Sequence, residues 1–132
     1  MGDLDAITAL LYGPGISMVG HEMTNDQAIS KVRERFPTRH YCLVRDWIWI
    51  DLDMPSEVRE HLIDTGRQPI MLYAHNVVFD SLKRFDSGDW VRSTPLVNLS
   101  EGVFFETKNS VYVLIGHGIR KRAALSTVIE VF

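Results

Sequence analysis

Apolar positions near the N-terminus recur at helical spacing and predict two helices. The first carries Leu4, Ile7, Leu10 and Leu11 at helical spacing, and the sequence Tyr-Gly-Pro-Gly at 12–15 ends it. The second follows a capping-box pattern, in which Gln27 stands three residues after Thr24, and it ends at Pro37. The pattern therefore predicts that the chain opens with helices rather than strands.

A long apolar stretch at 40–52 predicts a strand that is covered on both faces. It is rich in aromatic and β-branched residues, which favour strands. Because successive side chains of a strand point to opposite faces, one face is expected to carry Tyr41, Leu43, Trp47 and Trp49. The other face is expected to carry Cys42, Val44, Ile48 and Ile50. Such two-faced apolarity indicates a central strand of a sheet.

A third helix is expected after this strand. Pro55 suits its first turn, Val58 and Leu62 mark its buried side, and Gly66 fits the position just past its end.

The second half of the chain is predicted to be almost entirely β. Strands are expected at 70–79 and 90–99 on either side of a polar loop, and a final strand is expected at 127–132. Pro95 implies an edge or a bulge within the second of these strands, because proline cannot donate to the ladder.

The clearest hairpin pattern joins residues 103–107 to residues 111–115. The turn between them contains Asn109, and asparagine tolerates the left-handed turn conformation. Val113 lies in a strand with apolar side chains on both faces, and Glu106 precedes the turn. We therefore interpret this hairpin as a folding requirement rather than a catalytic site.

These elements predict an α+β fold. N-terminal helices are expected to pack on a strongly twisted antiparallel sheet, or a small partly open β-barrel, formed mostly by the C-terminal half. The 132 residues fit one domain, with a helix-rich part at 1–66 and a β-rich part at 67–132.

Composition excludes several classes of protein. The single cysteine, Cys42, excludes an intrachain disulfide and with it a disulfide-stapled secreted fold. The first residues include acids where a secretory signal would carry Lys or Arg, and no apolar run approaches the roughly 20 residues that span a bilayer. We therefore expect a cytoplasmic protein with no membrane partner.

The net charge of −3 is unevenly distributed along the chain. Residues 45–64 hold six acids and two arginines, and two tryptophans lie in the same stretch. Aromatic anchors surrounded by charge are typical of interface hot spots, so this stretch is a candidate docking surface for a basic protein. Its candidate residues are Asp51, Asp53, Glu57, Glu60, Trp47 and Trp49. The alternative is that both tryptophans are core residues and the acids form an ordinary helix surface.

A basic run near the end of the chain indicates a second candidate surface. Arg120, Lys121 and Arg122, together with Arg92, Lys108 and Tyr112, would form a face that binds RNA or single-stranded DNA through phosphate contacts and stacking. The alternative is a solvated loop after a strand. The acidic net charge weighs against nucleic acid as the main partner, because phosphate contacts dominate such affinity.

Cysteine and histidine spacing provides no catalytic or metal-binding signature. His40 and Cys42 would share a strand face, as a thiolate–imidazole pair would, but a buried structural cysteine is favoured because no Asn or Asp orients the histidine. The five histidines show none of the close pairings of zinc sites. We therefore expect no catalytic residue, metal or cofactor.

Two further features of the sequence are weaker indications of an active site. Gly116-His117-Gly118 is interpreted as a plain turn, because a phosphate loop would need a third glycine and room for a βαβ unit. An enzyme would need a pocket in which distant groups converge, such as His75, His117 or Glu106.

The C-terminal half resembles a known family. The sequences GDWVRSTPL at 88–96 and FETKNSVYVLIG at 105–116 are similar to small uncharacterised proteins of bacteria and their prophages, and the similarity is strongest over residues 68–122. That family's hairpin reads F-E-T-x-N-T-x-Y, with Ser110 here where Thr is common, and its next loop reads G-x-G-x-R. The resemblance implies one β unit in a domain of unknown function and brings no catalytic residues. A prophage setting implies a factor that binds and blocks a host or rival protein.

These observations favour a non-enzymatic protein-binding module, an inhibitor or accessory factor encoded by a prophage or mobile element. The alternatives are a nucleic-acid-binding small β-barrel module and a small enzyme with a site that the sequence does not reveal.

Overall fold

A computed structural model describes residues 2–131 of the chain. Within these residues the helices are α1 (Gly2–Tyr12), α2 (Asn25–Arg35), α3 (Ser56–Asp64) and α4 (Leu125–Val131). The strands are β1 (Ile16–Met18), β2 (Tyr41–Asp53), β3 (Ile70–Asp80), β4 (Val91–Arg92), β5 (Asn98–Ser100), β6 (Phe104–Glu106), β7 (Val111–Leu114) and β8 (Gly118–Ala124). In this part of the chain no helix has the length and apolarity needed to cross a membrane.

Strand β2 lies at the centre of a curled mixed sheet, and the predicted α+β class is confirmed. β3 pairs antiparallel along one edge of β2, while β7 and then β8 pair parallel along the other edge. The remaining pairs are antiparallel: β1 with β8, β6 with β7 and β5, and β4 with β3. The sheet therefore differs from the predicted antiparallel one, because the β6–β7 hairpin reverses the chain and leaves β7 running in the direction of β2.

The expected alternation of faces along β2 is interrupted at Asp46. Trp47 and Trp49 lie in the same core cluster as Cys42 and Val44, although regular alternation would separate these pairs. Asp46 has a φ of 53°, in the left-handed region, and such a residue turns the strand and shifts the faces by one position. The prediction that Tyr41 and Leu43 share a face with the tryptophans is therefore wrong.

Three of the four helices supply buried residues to the sheet's clusters. Ala28 and Val32 of α2 pack with Tyr41 and Leu43. Leu10 of α1 and Val128 of α4 join a second cluster with Ile48, Ile50 and Leu52. α3 contributes no buried residue, so the predicted buried side of that helix is wrong.

The local signals near helix and strand ends have mixed outcomes. The capping box of Thr24 and Gln27 and the hairpin between β6 and β7 are confirmed. The strand expected at 90–99 is divided into β4 and β5, with Pro95 between them. The final strand expected at 127–132 is instead helix α4, because helical spacing brings both Leu125 and Val128 to the cluster that holds Leu10; Phe132 lies outside the described residues.

Candidate functional site

The acidic and basic candidate residues contact each other across the β2–β8 pair. Arg120 Nε donates to Asp51 Oδ2 at 2.6 Å, and Arg122 Nη1 donates to Asp53 Oδ1 at 2.6 Å. The hydrogen bonds to Asp51, with its charge, raise the pKa of Arg120 further. Two groups of opposite sign that were predicted as separate surfaces therefore neutralise each other.

Both candidate tryptophans belong to the core. Trp47 is 2% exposed and Trp49 is 6% exposed. Trp47 Nε1 donates to the Gly116 carbonyl at 3.3 Å, and Trp49 Nε1 donates to Asp51 Oδ1 at 3.4 Å. The two indoles are therefore held in the core and cannot serve as aromatic anchors at the surface.

The two remaining acidic candidates, which stay unpaired, lie on α3. Glu57 and Glu60 are exposed, and neither takes part in any of the ion pairs formed within residues 2–131. On the same helix Val58 is 43% exposed and Ile63 is 51% exposed. We call Glu57, Val58, Glu60 and Ile63 the α3 surface. It combines exposed apolar side chains with unpaired negative charge.

The remaining basic candidates are mostly occupied or buried. Lys121 Nζ donates to the carbonyls of Ala9 and Leu10 at 2.9 and 2.7 Å, which satisfies orphan groups at the end of α1. Burial lowers the pKa of Lys121. Arg92 Nη1 contacts Met71 Sδ at 3.8 Å in a half-buried position.

Tyr112 is buried, and that burial raises its pKa to about 12. A buried phenol ring cannot stack on a base. Lys108 is exposed in the hairpin turn. Among the six candidates for the basic face, Lys108 is therefore exposed and takes part in none of the ion pairs or carbonyl contacts that hold residues 120–122.

The polar residues of the hairpin motif satisfy one another. Glu106 Oε2 accepts from Asn98 Nδ2 at 2.9 Å and from Ser100 Oγ at 2.7 Å, and Glu106 Oε1 lies 3.5 Å from Arg39 Nη1. Thr107 Oγ1 accepts from the Ser110 backbone N–H at 3.1 Å and donates to the Ser110 carbonyl at 3.1 Å. These contacts close the turn and leave Glu106 engaged in the fold.

Cys42 has the environment of a structural cysteine. Its side chain is fully buried, and burial, reinforced by the negative charge of Asp80, raises the pKa of the thiol to about 12. A thiol with that pKa carries almost no thiolate at neutral pH and is a poor nucleophile.

A cleft of about 600 Å³ lies where β2, β8 and the end of α1 meet. It is lined by Leu11, Tyr12, Ser17, Asp46, Trp47, Ile48, His75, His117, Gly118 and Ile119. Its two histidines were named from sequence as groups that an enzyme would have to bring together, and they do line one cleft. The sequence did not indicate that the cleft would also hold Tyr12, Ser17, Asp46 and Ile119. The signal that could have pointed to this place was Asp46, because it is a charged residue inside an apolar strand.

The cleft exists because β2 and the β7–β8 side have different numbers of residues between two paired positions. Val44 pairs with Leu114 and Ile48 pairs with Ile119, so β2 has three intervening residues where the β7–β8 side has four. Gly116 absorbs the extra residue with a φ of 74°. A side-chain carbon at Gly118 would overlap the Trp47 indole, so only glycine fits there. The Gly116-His117-Gly118 segment therefore links two collinear strands and is not the plain turn that was predicted.

Both histidines of the cleft are held by backbone hydrogen bonds. His75 Nε2 donates to the Leu11 carbonyl at 3.1 Å, and its ring stacks on Tyr12 with centroids 5.6 Å apart. The edge of Tyr73 packs against the same imidazole at 4.8 Å. His117 Nδ1 accepts from the Gly20 N–H at 3.2 Å. In the neutral rings this leaves His75 Nδ1 as an acceptor and His117 Nε2–H as a donor.

The His, Cys, Asp and Glu residues of the described chain do not gather in groups of three or more that could hold a metal ion.

The model of the family called Domain of unknown function (DUF6957) matches residues 18–130, and the chain belongs to that family. The match extends well upstream of residues 68–122, where the sequence resemblance is strongest, and takes in α2, β2 and α3. Comparisons with curated proteins and with solved structures give no match.

Proposed function

We propose that this protein is a non-enzymatic binding module that docks a basic protein partner through the α3 surface. The observation that carries the proposal is a nine-residue helix that holds three apolar side chains and buries none of them. A helix this short is marginal in isolation and normally depends on packing of its apolar face. The uncovered Val58 and Ile63 are therefore available to a partner.

The charge of α3 indicates the chemistry of that partner. The helix carries Glu57, Glu60 and Asp64 against Arg59, and no basic side chain of another described element pairs with its two glutamates. A surface rich in Lys and Arg would complement it, and such complementarity raises association rates and suppresses wrong partners. The resemblance to prophage proteins supports the further proposal that the module is an inhibitor or accessory factor of a mobile element.

The proposal is tested with a photoreactive amino acid placed at Val58 and irradiated in extract of the host cells. We expect an adduct with a basic protein that disappears in the Glu57→Lys/Glu60→Lys variant and weakens as salt rises. The matched control is Glu34→Lys/Glu130→Lys, which makes the same change in net charge at exposed positions on α2 and α4. This control is expected to retain the adduct.

An adduct that is equally abundant in both double variants would contradict the proposal, because its formation would not depend on α3. So would the absence of any adduct that responds to the α3 charges.

A further inference from the structure

The cleft between α1, β2 and β8 has the features of a preformed small-molecule site. Its volume of about 600 Å³ falls within the range typical of ligand pockets, roughly 300–1,000 Å³. Leu11, Ile48 and Ile119 provide apolar wall, and the Trp47 indole lies against the β8 backbone at Gly118. An apolar wall with a few fixed polar groups is the usual composition of such pockets.

An aromatic ring is positioned at the edge of the cleft. Tyr12 is 75% exposed, although its ring is stacked on His75 with an interplanar angle of 19°. His75 is in turn held by the Leu11 carbonyl and the edge of Tyr73. The Tyr12–His75 stack is therefore ordered before any ligand arrives, which lowers the entropy cost of stacking a planar ring beside it.

The polar groups of the cleft favour a ligand that donates hydrogen bonds. The Asp46 carboxylate is exposed and forms neither a hydrogen bond nor an ion pair within the described residues. It is held in the left-handed region, and such backbone outliers are concentrated at ligand sites. His75 Nδ1 adds a second acceptor, and His117 Nε2–H and the Ser17 hydroxyl add donors.

The charge of the cleft disfavours acidic ligands. Asp46 is the one charged side chain among its lining residues in the described chain, and neither Lys nor Arg is among them. A phosphate or carboxylate here would meet the unpaired Asp46 carboxylate with no Lys or Arg beside it, and this like-charge repulsion costs free energy. An amino group on an aromatic ring would instead meet the free carboxylate.

We propose that this cleft binds a small planar heteroaromatic compound that carries an amino group and no phosphate, the chemical class of an aminated nucleobase. The ring stacks at Tyr12, and its amino group donates to Asp46. His75 Nδ1 accepts a hydrogen bond from an N–H of the ligand ring, and His117 Nε2–H donates one to a ring nitrogen that carries no proton. The α3 surface lies on another element and contributes no lining residue to this cleft.

The test is a titration of the isotopically labelled full chain, followed by amide resonances, with adenine, cytosine and aminobenzimidazole as probes. We expect adenine to shift the resonances of Tyr12, Asp46 and His117. Hypoxanthine, which lacks the amino group, and adenosine monophosphate, which adds a phosphate, should each bind about tenfold more weakly than adenine.

The variant Asp46→Asn keeps a residue type that tolerates a positive φ and removes the charge. It should weaken adenine binding about tenfold, whereas the control Asp86→Asn, in an exposed loop, should leave it unchanged. Three results overturn the proposal: no shift of cleft resonances with any of the three probes at millimolar concentration, tighter binding of the monophosphate than of adenine, or equal binding by Asp46→Asn. The wild-type titration decides the question even if that variant fails to fold.

Discussion

The two halves of β2, before and after Asp46, differ in whether the neighbouring elements leave open surfaces beside them. Residues 41–44 are buried throughout, lie between β3 and β7, and adjoin a hairpin whose polar groups bond to one another. Residues 48–53 lie between β3 and β8 and end in exposed ion pairs. The open cleft and the uncovered helix α3 both adjoin this second half. Both halves are part of the core, but the surfaces available for binding adjoin the second half.

The location of the hairpin motif strengthens this contrast. Val113 pairs with Leu43 in the first half of β2, and both side chains are fully buried. Glu106 and Thr107 of the same motif face Arg39, Ser100 and Ser110, and these contacts account for the motif without a ligand. The polar residues of this hairpin therefore contribute to the fold beside the first half of β2.

The largest expected effect on stability comes from shortening a fully buried side chain of the hairpin beside the first half of β2. Val113→Ala removes two methyl groups from a fully buried position and should lower the free energy of unfolding by about 2–3 kcal/mol. Ile119→Ala, at an exposed position of β8 beside the second half of β2, should cost less than about 1 kcal/mol. Urea denaturation measures both, and equal losses at the two positions would contradict the expectation that buried contacts complete the hairpin side of β2 while the β8 side is left more open.

A smaller effect is expected from the hairpin carboxylate. Glu106→Gln weakens its contact with Arg39 and turns one acceptor into a donor beside Asn98 and Ser100, so it should cost about 1–2 kcal/mol. Binding through the α3 surface should be unaffected. The control Glu101→Gln alters a solvent-exposed ion pair with Arg35 and should change stability by less than about 0.5 kcal/mol. If Glu106→Gln keeps full stability and loses partner binding, the motif is a site.

The smallest expected effect concerns the ion pairs of the second half. A double-mutant cycle of Asp51→Asn and Arg120→Gln should give a coupling energy of about 0.2–1 kcal/mol, because the guanidinium is half exposed to water. The coupling should shrink as salt is added. A coupling that stays large in high salt would contradict the expectation that this pair is screened by water and ions.

The sequence alone predicted the elements that depend on residues close together in the chain. The capping box of Thr24 and Gln27 was predictable because its two hydrogen bonds join residues three positions apart. The β6–β7 hairpin was predictable because a short turn sets its register, and β2 because its composition is apolar on both faces. The hairpin's own residues also suggested a family of unknown function, and the model of a domain of unknown function matches residues 18–130.

Tertiary structure decided the features that depend on residues far apart in the chain. The pairing of Asp51 with Arg120 joins positions 69 residues apart, and it neutralises two surfaces that local charge predicted to be free. The change of faces at Asp46 lies opposite a mismatch between β2 and the β7–β8 side, which no single strand contains. The same mismatch opens the cleft and brings His75 and His117 to one place. Sequence spacing reports which side chains share an element, whereas only the packing of elements decides which charges are cancelled and where a space is left.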